Sequence, residues 1–372
     1  MNSVLFLSVM NGSAWGGSEE LWFQSAIWLA KNNYKVGVCC FEWPGKKDKL
    51  KQLKDAGCEL YLLPGKNETK TIWGKWKLNK AFKKVPLKNF EKIVVNQGGW
   101  KDVVYEPFKK ICRTLNDYVL LYHNYNANEK FSKQKSLQLQ CWIENAKKNL
   151  GDTLKIFETL EKIYSLSILN PERLFNPLTF ELPQTATPYP ETKNGKYIFS
   201  VFAALDTERK AQDVLIKTLT SPVWRDRNWE LHLYGEGKDR ALLQKLIVDL
   251  QMQAKIFLRG KAADYKDAIR QSHIVLQITH IDAMPITVMD SMAMARPLVV
   301  SNVGDMPQWI KENTNGWITD SVSINEVNLI LEKAWNQRHN WPAMGKESYS
   351  NFRQNFPVDP IGYFLKQSGI TQ

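Results

Sequence analysis

The sequence predicts an α/β protein of two similar halves, each built on a parallel sheet covered by helices on both faces. Three observations predict this. Short, continuously apolar runs alternate with amphipathic ones, the pattern of strands buried on both sides. The 372 residues are 44% hydrophobic, enough for more than one core, and domains usually run to about 100–200 residues. A stretch near the middle, NPLTFELPQTATPYPETKNGK, carries Pro177, Pro183, Pro188 and Pro190 without any apolar period. It reads as an extended linker.

The elements follow in order. Val4 to Val9 is a buried strand. After a glycine-rich turn, Glu19 to Lys31 repeats apolar residues at helical spacing (Leu21, Trp22, Ile27, Trp28, Leu29). Lys35 to Phe41 is a strand, Lys49 to Ala56 a helix and Glu59 to Leu63 a strand. Ile93–Asn96 and Tyr118–Tyr122 are further short strands. Beyond the linker the alternation restarts: strand Tyr197–Phe202, helix Asp213–Leu219, and strands Glu230–Tyr234, Ile256–Leu258 and Ile274–Ile278. A helix from about Pro285 to Ala295 and a strand Pro297–Ser301 complete it. The expected division is 1–180 for the first domain, 181–196 for the linker and 197–345 for the second. Residues 346–372 form a tail expected to pack back on the first domain. The carboxyl ends of parallel strands in two such domains face a central cleft, a natural ligand site.

Composition narrows the class. No segment is of low complexity, and 14 Trp and 24% charge describe a folded protein, not a disordered one. The five cysteines are odd in number and contain no CxxC, so reduced, mostly buried thiols are expected, with neither a disulfide framework nor a metal site. SVLFLSVM is too short to span a bilayer and lacks a basic leader, so a cytoplasmic protein is expected. The net charge of +12 points to an anionic partner. Residues 46–92 hold fourteen lysines against five acids, with Trp73 and Trp76 inside TIWGKWKLNKAFKK. Such interleaving suits peripheral contact with the inner membrane face or an acidic substrate, the alternative being a solvated lysine-rich face. No nucleic-acid motif accompanies the charge.

Several stretches carry candidate chemistry. In NGSAWGGSEELW, Gly12, Gly16 and Gly17 let backbone amides approach a ligand, and the helix beyond favours an anion. The plain alternative is a strand–helix turn capped by Ser18. ALDTERKAQD supplies Arg209 and Lys210 for a diphosphate. YGEGKD and LRGKAAD are strand-end turns in which Gly235 and Gly260 are candidate donor-binding positions, with Gly237 between them; the plain alternative is tight backbone geometry alone. In THIDAMPITVMDSMAMARP, Asp282 precedes a helix whose first turn fits Pro285. Asp290 lies inside that helix among apolar neighbours and wants a donor such as a ligand hydroxyl. The amides of Ala283, Met284, Ile286 and Thr287 are free to bind oxygens. The alternative has Asp282 capping the helix and Asp290 facing solvent.

Taken together these stretches resemble glycosyltransferase family 4, retaining enzymes of the GT-B fold, with two Rossmann-like α/β/α domains. The family signature is E-G-x-P-x-x-x-x-E-A-M-A-x-G-x-P; here it reads D-A-M-P-I-T-V-M-D-S-M-A-M-A-R-P from Asp282 to Pro297. GGSEELW resembles the first Gly-rich loop, ALDTERKAQD the Arg/Lys phosphate motif, GEG the family's G-x-G, NTNGW its late glycine turn and Asn176-Pro177 the end of its N-terminal domain. The resemblance implies a nucleoside-diphosphate sugar as donor substrate, no cofactor and no metal. It assigns Asp290 to the ribose, and Asp282 with the amides from Ala283 to Thr287 to the transferred sugar. Lys210, with Arg209, Gly16 and Gly17, takes the diphosphate, and His123 in LLYHNYN contacts the donor sugar. The first domain would face the acceptor, a lipid-linked or cell-surface glycan precursor.

Departures accompany the match. Both signature glutamates are aspartates, one methylene shorter. Ala204 stands where the phosphate-binding arginine is expected, and Ala211, Ala283 and Ala295 replace family glycines. Ala204 and the two aspartates support an alternative: a non-catalytic nucleotide-sugar-binding partner of an active transferase. A nicotinamide-dependent dehydrogenase is disfavoured by the lack of GxGxxG.

Overall fold

The computed structural model describes residues 2–10, 15–65, 71–115, 117–124, 131–169 and 171–371. Gly12 and residues 66–70 of the basic segment lie outside them. The chain forms two units, Met1–Pro177 with Pro357–Gln372, and Leu178–Phe356.

The first unit is built on seven strands: β1 Ser3–Ser8, β2 Lys35–Phe41, β3 Glu59–Leu63, β4 Lys92–Gln97, β5 Tyr118–Tyr122, β6 Lys148–Gly151 and β7 Glu172–Arg173. Their order is β3-β2-β1-β4-β5-β6-β7, parallel throughout. Val4, Phe6, Val94, Val119, Leu121 and Leu150 form one face, packed with Leu21, Trp22, Ala26 and Leu29 of the helix Gly17–Lys31. Phe364 and Leu365 of the helix Pro360–Gln367 join the same core.

The second unit has six parallel strands, β8 Tyr197–Phe202, β9 Trp229–Tyr234, β10 Ile256–Gly260, β11 Ile274–Gln277, β12 Leu298–Ser301 and β13 Gly316–Thr319, ordered β10-β9-β8-β11-β12-β13. Its core gathers Phe199, Leu231, Leu233 and Leu276 against Trp224, Trp229, Trp335 and Trp341. Both sheets reverse direction of winding beside their first strand, between β1 and β4 and between β8 and β11. In doubly wound sheets the carboxyl ends at that switch point form the ligand crevice.

Several expectations change. Cys112 and Cys141 are joined by a disulfide with Cα atoms 6.4 Å apart, while Cys39, Cys40 and Cys58 are free and buried. Parity and spacing register only sequence neighbours; the helix Lys133–Asn145 brings Cys141 onto the turn Ile111–Arg113 from 29 residues away. The helix after the first glycine turn starts at Gly17 with Gly16 as its cap, not Ser18, whose hydroxyl turns to Glu19 instead. Pro285 is the residue before the helix Ile286–Ala293, at φ −65° and ψ 126°, and not its first turn. Helix Trp341–Asn355 falls in the second unit, so only the tail from Pro357 joins the first. The proline-rich segment from Leu178 is counted with the second unit, where the Tyr189 hydroxyl donates to the His273 carbonyl at 2.9 Å. Basic residues 72–82, read from sequence only as a charged stretch, form a helix.

Candidate active site

At the switch point of the second sheet, two loops meet. After β8 the chain turns through Ala203–Asp206 into the short helix Thr207–Lys210; after β11 it runs from Ile278 to Pro285. The Arg209 carbonyl ties them together, accepting from the His280 amide at 2.8 Å and the Thr279 hydroxyl at 2.6 Å. This lacing carries Lys210 Nζ onto the Asp282 carboxylate, in an ion pair sheltered from solvent on both sides. Gln277 Nε2 donates to the same Asp282 oxygen at 3.2 Å. Asp282 is therefore no helix cap, and two of the sequence-predicted groups are brought into direct contact 72 residues apart in the chain.

The glycines here serve close backbone approach. A Cβ on Gly235, at φ +138°, would lie 2.0 Å from the Ala203 carbonyl, and one on Gly304 1.8 Å from the Ala283 carbonyl. Gly260 (φ +69°) accepts at its carbonyl from the Gly235 amide at 2.8 Å. Ala211 (φ 48°) and Ala295 (φ 57°) hold left-handed conformations that cost an alanine about 1 kcal/mol more than glycine. The amides of Ala283, Met284, Ile286 and Thr287 find no carbonyl partner among the described residues, as expected for the loop and first turn that open an eight-residue helix.

Asp290 is fully buried, which removes the solvent-facing alternative. Its carboxylate is met inside the protein: the Thr179 amide donates to Oδ1 at 3.2 Å, the Thr179 hydroxyl to Oδ2 at 2.9 Å, and the Tyr265 hydroxyl adds a third bond. Burial outweighs these donors and raises its pKa from 3.8 to about 7. The linkage follows. Below pH 3.8 the group is protonated in both states; between there and about 7 the unfolded chain ionises first, so the favourable contribution is lost as pH rises through about 7. Glu19, raised from 4.5 to about 7 by burial, acts with the same sign. Asp290→Asn is expected to gain stability relative to the parent as pH climbs from 4 to 7, read by denaturant unfolding across that range. A constant difference between the two proteins would refute the assignment.

At the first sheet, one face is apolar until its last layer. There Ser8 of β1, Asn96 of β4, His123 after β5 and Asp152 after β6 form a buried polar row. His123 Nδ1 lies 3.1 Å from both Asp152 oxygens and Nε2 2.7 Å from Asn96 Oδ1, so both ring nitrogens are engaged within the unit. Glu19, three residues beyond the Gly16 cap, closes the row, its Oε1 3.5 Å from the Ser8 hydroxyl. Lys46, fully buried, holds its ammonium 3.9 Å from Glu19 and 5.7 Å from the Trp15 ring centre, with no hydrogen-bond partner among the described residues. Sequence reasoning missed Glu19, Lys46, Thr179 and Tyr265. Only Glu19 left a signal, as an acid just inside a glycine-opened helix; Lys46 was counted as surface charge. Among the described residues no group of three His, Cys, Asp or Glu is arranged to hold a metal ion, and no helix is long and apolar enough to cross a membrane.

Residues 196–330, which hold Lys210, Asp282 and Asp290, match the family Glycosyl transferases group 1. The chain is 23% identical over 220 residues, 59% of its length, to the poly(ribitol-phosphate) alpha-N-acetylglucosaminyltransferase of Staphylococcus aureus (strain COL), covering 43% of that protein. It is 21% identical over 128 residues, 33% of its length, to the N-acetyl-alpha-D-glucosaminyl L-malate synthase of Bacillus anthracis, covering 34% of that protein. The chain thus spans less than half the length of the curated relatives it matches. Among solved structures, Anabaena Alr3699/HepE in complex with UDP superposes over the whole of both chains with a TM-score of 0.76 at 14% identity. The chain therefore has the GT-B fold of two parallel-sheet α/β domains, with its group 1 glycosyl transferase match confined to the second of them.

Proposed function

We propose that this chain is a family 4-type retaining glycosyltransferase that moves a sugar from a nucleoside-diphosphate sugar to a glycan acceptor. The observation that carries the reading is the Lys210–Asp282 pair at the second sheet's switch point, within the segment that matches Glycosyl transferases group 1. Departure of a nucleoside diphosphate develops negative charge, which Lys210 and the amides opening the helix Ile286–Ala293 are suited to stabilise. The sugar left behind gains oxocarbenium character, which the Asp282 carboxylate favours electrostatically. Lys210 therefore exchanges part of its bond to Asp282 for the leaving phosphate, and the carboxylate is released as the positive charge appears. Arg209, half-buried beside this pair, is the second cation of the reading. Asp290 is its ribose acceptor, which requires Thr179 to give way.

Roles for Gly16, Gly17 and His123 rest on motif resemblance; His123 contacts a donor only by exchanging Asn96 for it. Two relatives named for N-acetylglucosamine transfer and a UDP-bound structural neighbour make UDP-N-acetylglucosamine the first donor to try. The net charge of +12 suits a phosphate-bearing acceptor, in line with the poly(ribitol-phosphate) of one relative's name. The second reading, a non-catalytic nucleotide-sugar-binding partner, draws its support from Ala204 at the arginine position and from aspartates at both signature positions, Asp282 and Asp290.

A thermal-shift screen against UDP-, GDP-, ADP- and CMP-sugars is expected to raise the melting temperature with one base, because binding stabilises only the folded state. Hydrolysis of that donor by the parent, lost in Asp282→Ala, supports the enzyme. Binding without turnover in the presence of acceptors supports the partner, and no shift with any donor defeats both.

A further inference from the structure

The helix Ile72–Phe82 is secured from behind and, among the described residues, unpartnered in front. Gly74, Leu78 and Phe82, four residues apart, form its one buried stripe. Phe82 meets Phe108 edge-on at 5.1 Å, and the Thr71 hydroxyl caps the first turn by accepting from the Gly74 amide at 3.0 Å. On the opposite side the helix presents Ile72 and Trp73, 85% and 76% exposed, and Trp76, 54% exposed. Lys75, Lys77, Lys80, Lys83 and Lys84 are exposed around them, and no acid occurs between Thr71 and Val85. Large apolar side chains exposed this far, grouped on one turn, mark an interaction surface.

We propose that this face docks on a bilayer bearing anionic phospholipids, with Ile72, Trp73 and Trp76 entering the headgroup–acyl boundary and the lysines meeting lipid phosphates. Three observations choose a bilayer over a polyanionic glycan. Ile72, the most exposed of the three, offers a sugar ring no aromatic face. Trp73 and Trp76 stand at 77° to each other, 6.5 Å apart, so they form no flat platform for successive sugar rings. Lys80 lies 4.9 Å from the Trp76 ring centre, keeping cation and aromatic together as at a membrane interface. The apolar turn is the helix's first, following the edge strand β3. An amphipathic helix with a basic polar face binds such surfaces through apolar area and lipid charge together.

The proposal does not rest on the sugar-transfer reading, and its test contains no donor. The full chain is sedimented with phosphatidylcholine vesicles and with vesicles that also contain phosphatidylglycerol. Binding to the anionic vesicles only is expected. It should fall at least about 10-fold in Trp73→Ser/Trp76→Ser and about 100-fold in Lys75→Glu/Lys77→Glu/Lys80→Glu, since each surface lysine contributes several-fold to binding. Ile72→Asp, at the most exposed position, gives a third variant with least risk to folding; circular dichroism checks all three. Equal binding of parent and variants overturns the proposal. So does equal binding to both vesicle types, or retention of the parent on a soluble poly(alditol phosphate) with none on vesicles.

Discussion

Replacing Lys210 with methionine is expected to lower donor turnover about 100- to 1,000-fold while leaving the fold in place, the usual loss when one preorganised electrostatic group is removed. The side chain lies against Asp282 in a pair that solvent barely reaches, at the end of a four-residue helix laced to the 279–281 loop through the Arg209 carbonyl. That lacing uses backbone groups and survives the substitution. Asp282 keeps the Gln277 amide at 3.2 Å, so the freed carboxylate is not stranded without a donor. The measurement is kcat for donor hydrolysis, with the melting temperature as control. Lys210→Arg should recover part of the rate, because it restores charge with a different reach. Unchanged turnover in the methionine variant would remove the pair from the chemistry.

Arg296→Met is expected to be the most damaging substitution for stability, by about 3–5 kcal/mol, the range for leaving buried partners of a charged group unsatisfied. Arg296 is fully buried, and carbonyls rather than a carboxylate receive it. Nη2 donates to Arg270 at 2.8 Å and Pro188 at 2.9 Å, Nη1 to Ala295 at 2.9 Å and Thr187 at 3.5 Å, and Nε to Ile269 at 3.2 Å. Two of these carbonyls end the helix Tyr265–Arg270, where a cation is favoured by the helix dipole. Burial lowers the guanidinium pKa to about 10, so the group stays charged at neutral pH. Denaturant unfolding of the parent, Arg296→Met and Arg296→Lys checks the result. Lysine should fall between, since it has no planar fork to reach five acceptors. A methionine variant as stable as the parent would mean that the carbonyls find other partners.

The sheets were legible in the sequence because a parallel strand buried on both faces leaves a run with no polar interruption, as in Val4–Leu7 and Leu298–Val300. The Lys210 and Asp282 loops were legible because each follows such a run. What could not be read was contact across distance. Thr179 reaches Asp290 over 111 residues, Cys141 reaches Cys112 because a helix and a turn pack together, and Lys46 is buried by folding although Lys47, Asp48 and Lys49 follow it directly. The helix Ile72–Phe82 escaped for another reason. It buries only three residues, two of them apolar and four apart, so its period is drowned by the exposed tryptophans and lysines.

The Thr179–Asp290 contact gives the proposed donor site a built-in competitor. An amide and a hydroxyl on one exposed residue already hold both oxygens of the carboxylate that the ribose would take. A donor then binds only the fraction of molecules in which Thr179 has let go, and its apparent dissociation constant is the intrinsic one divided by that fraction. If the two bonds hold the closed form by about 1.4 kcal/mol, the open form is roughly a tenth of the population and affinity is about tenfold weaker than the pocket itself allows. On the proposed reading the Thr179 amide and hydroxyl occupy the acceptors that the ribose hydroxyls would use. Every ribonucleotide donor then meets the same penalty, so the contact lowers affinity for all of them and leaves the choice of base to other contacts.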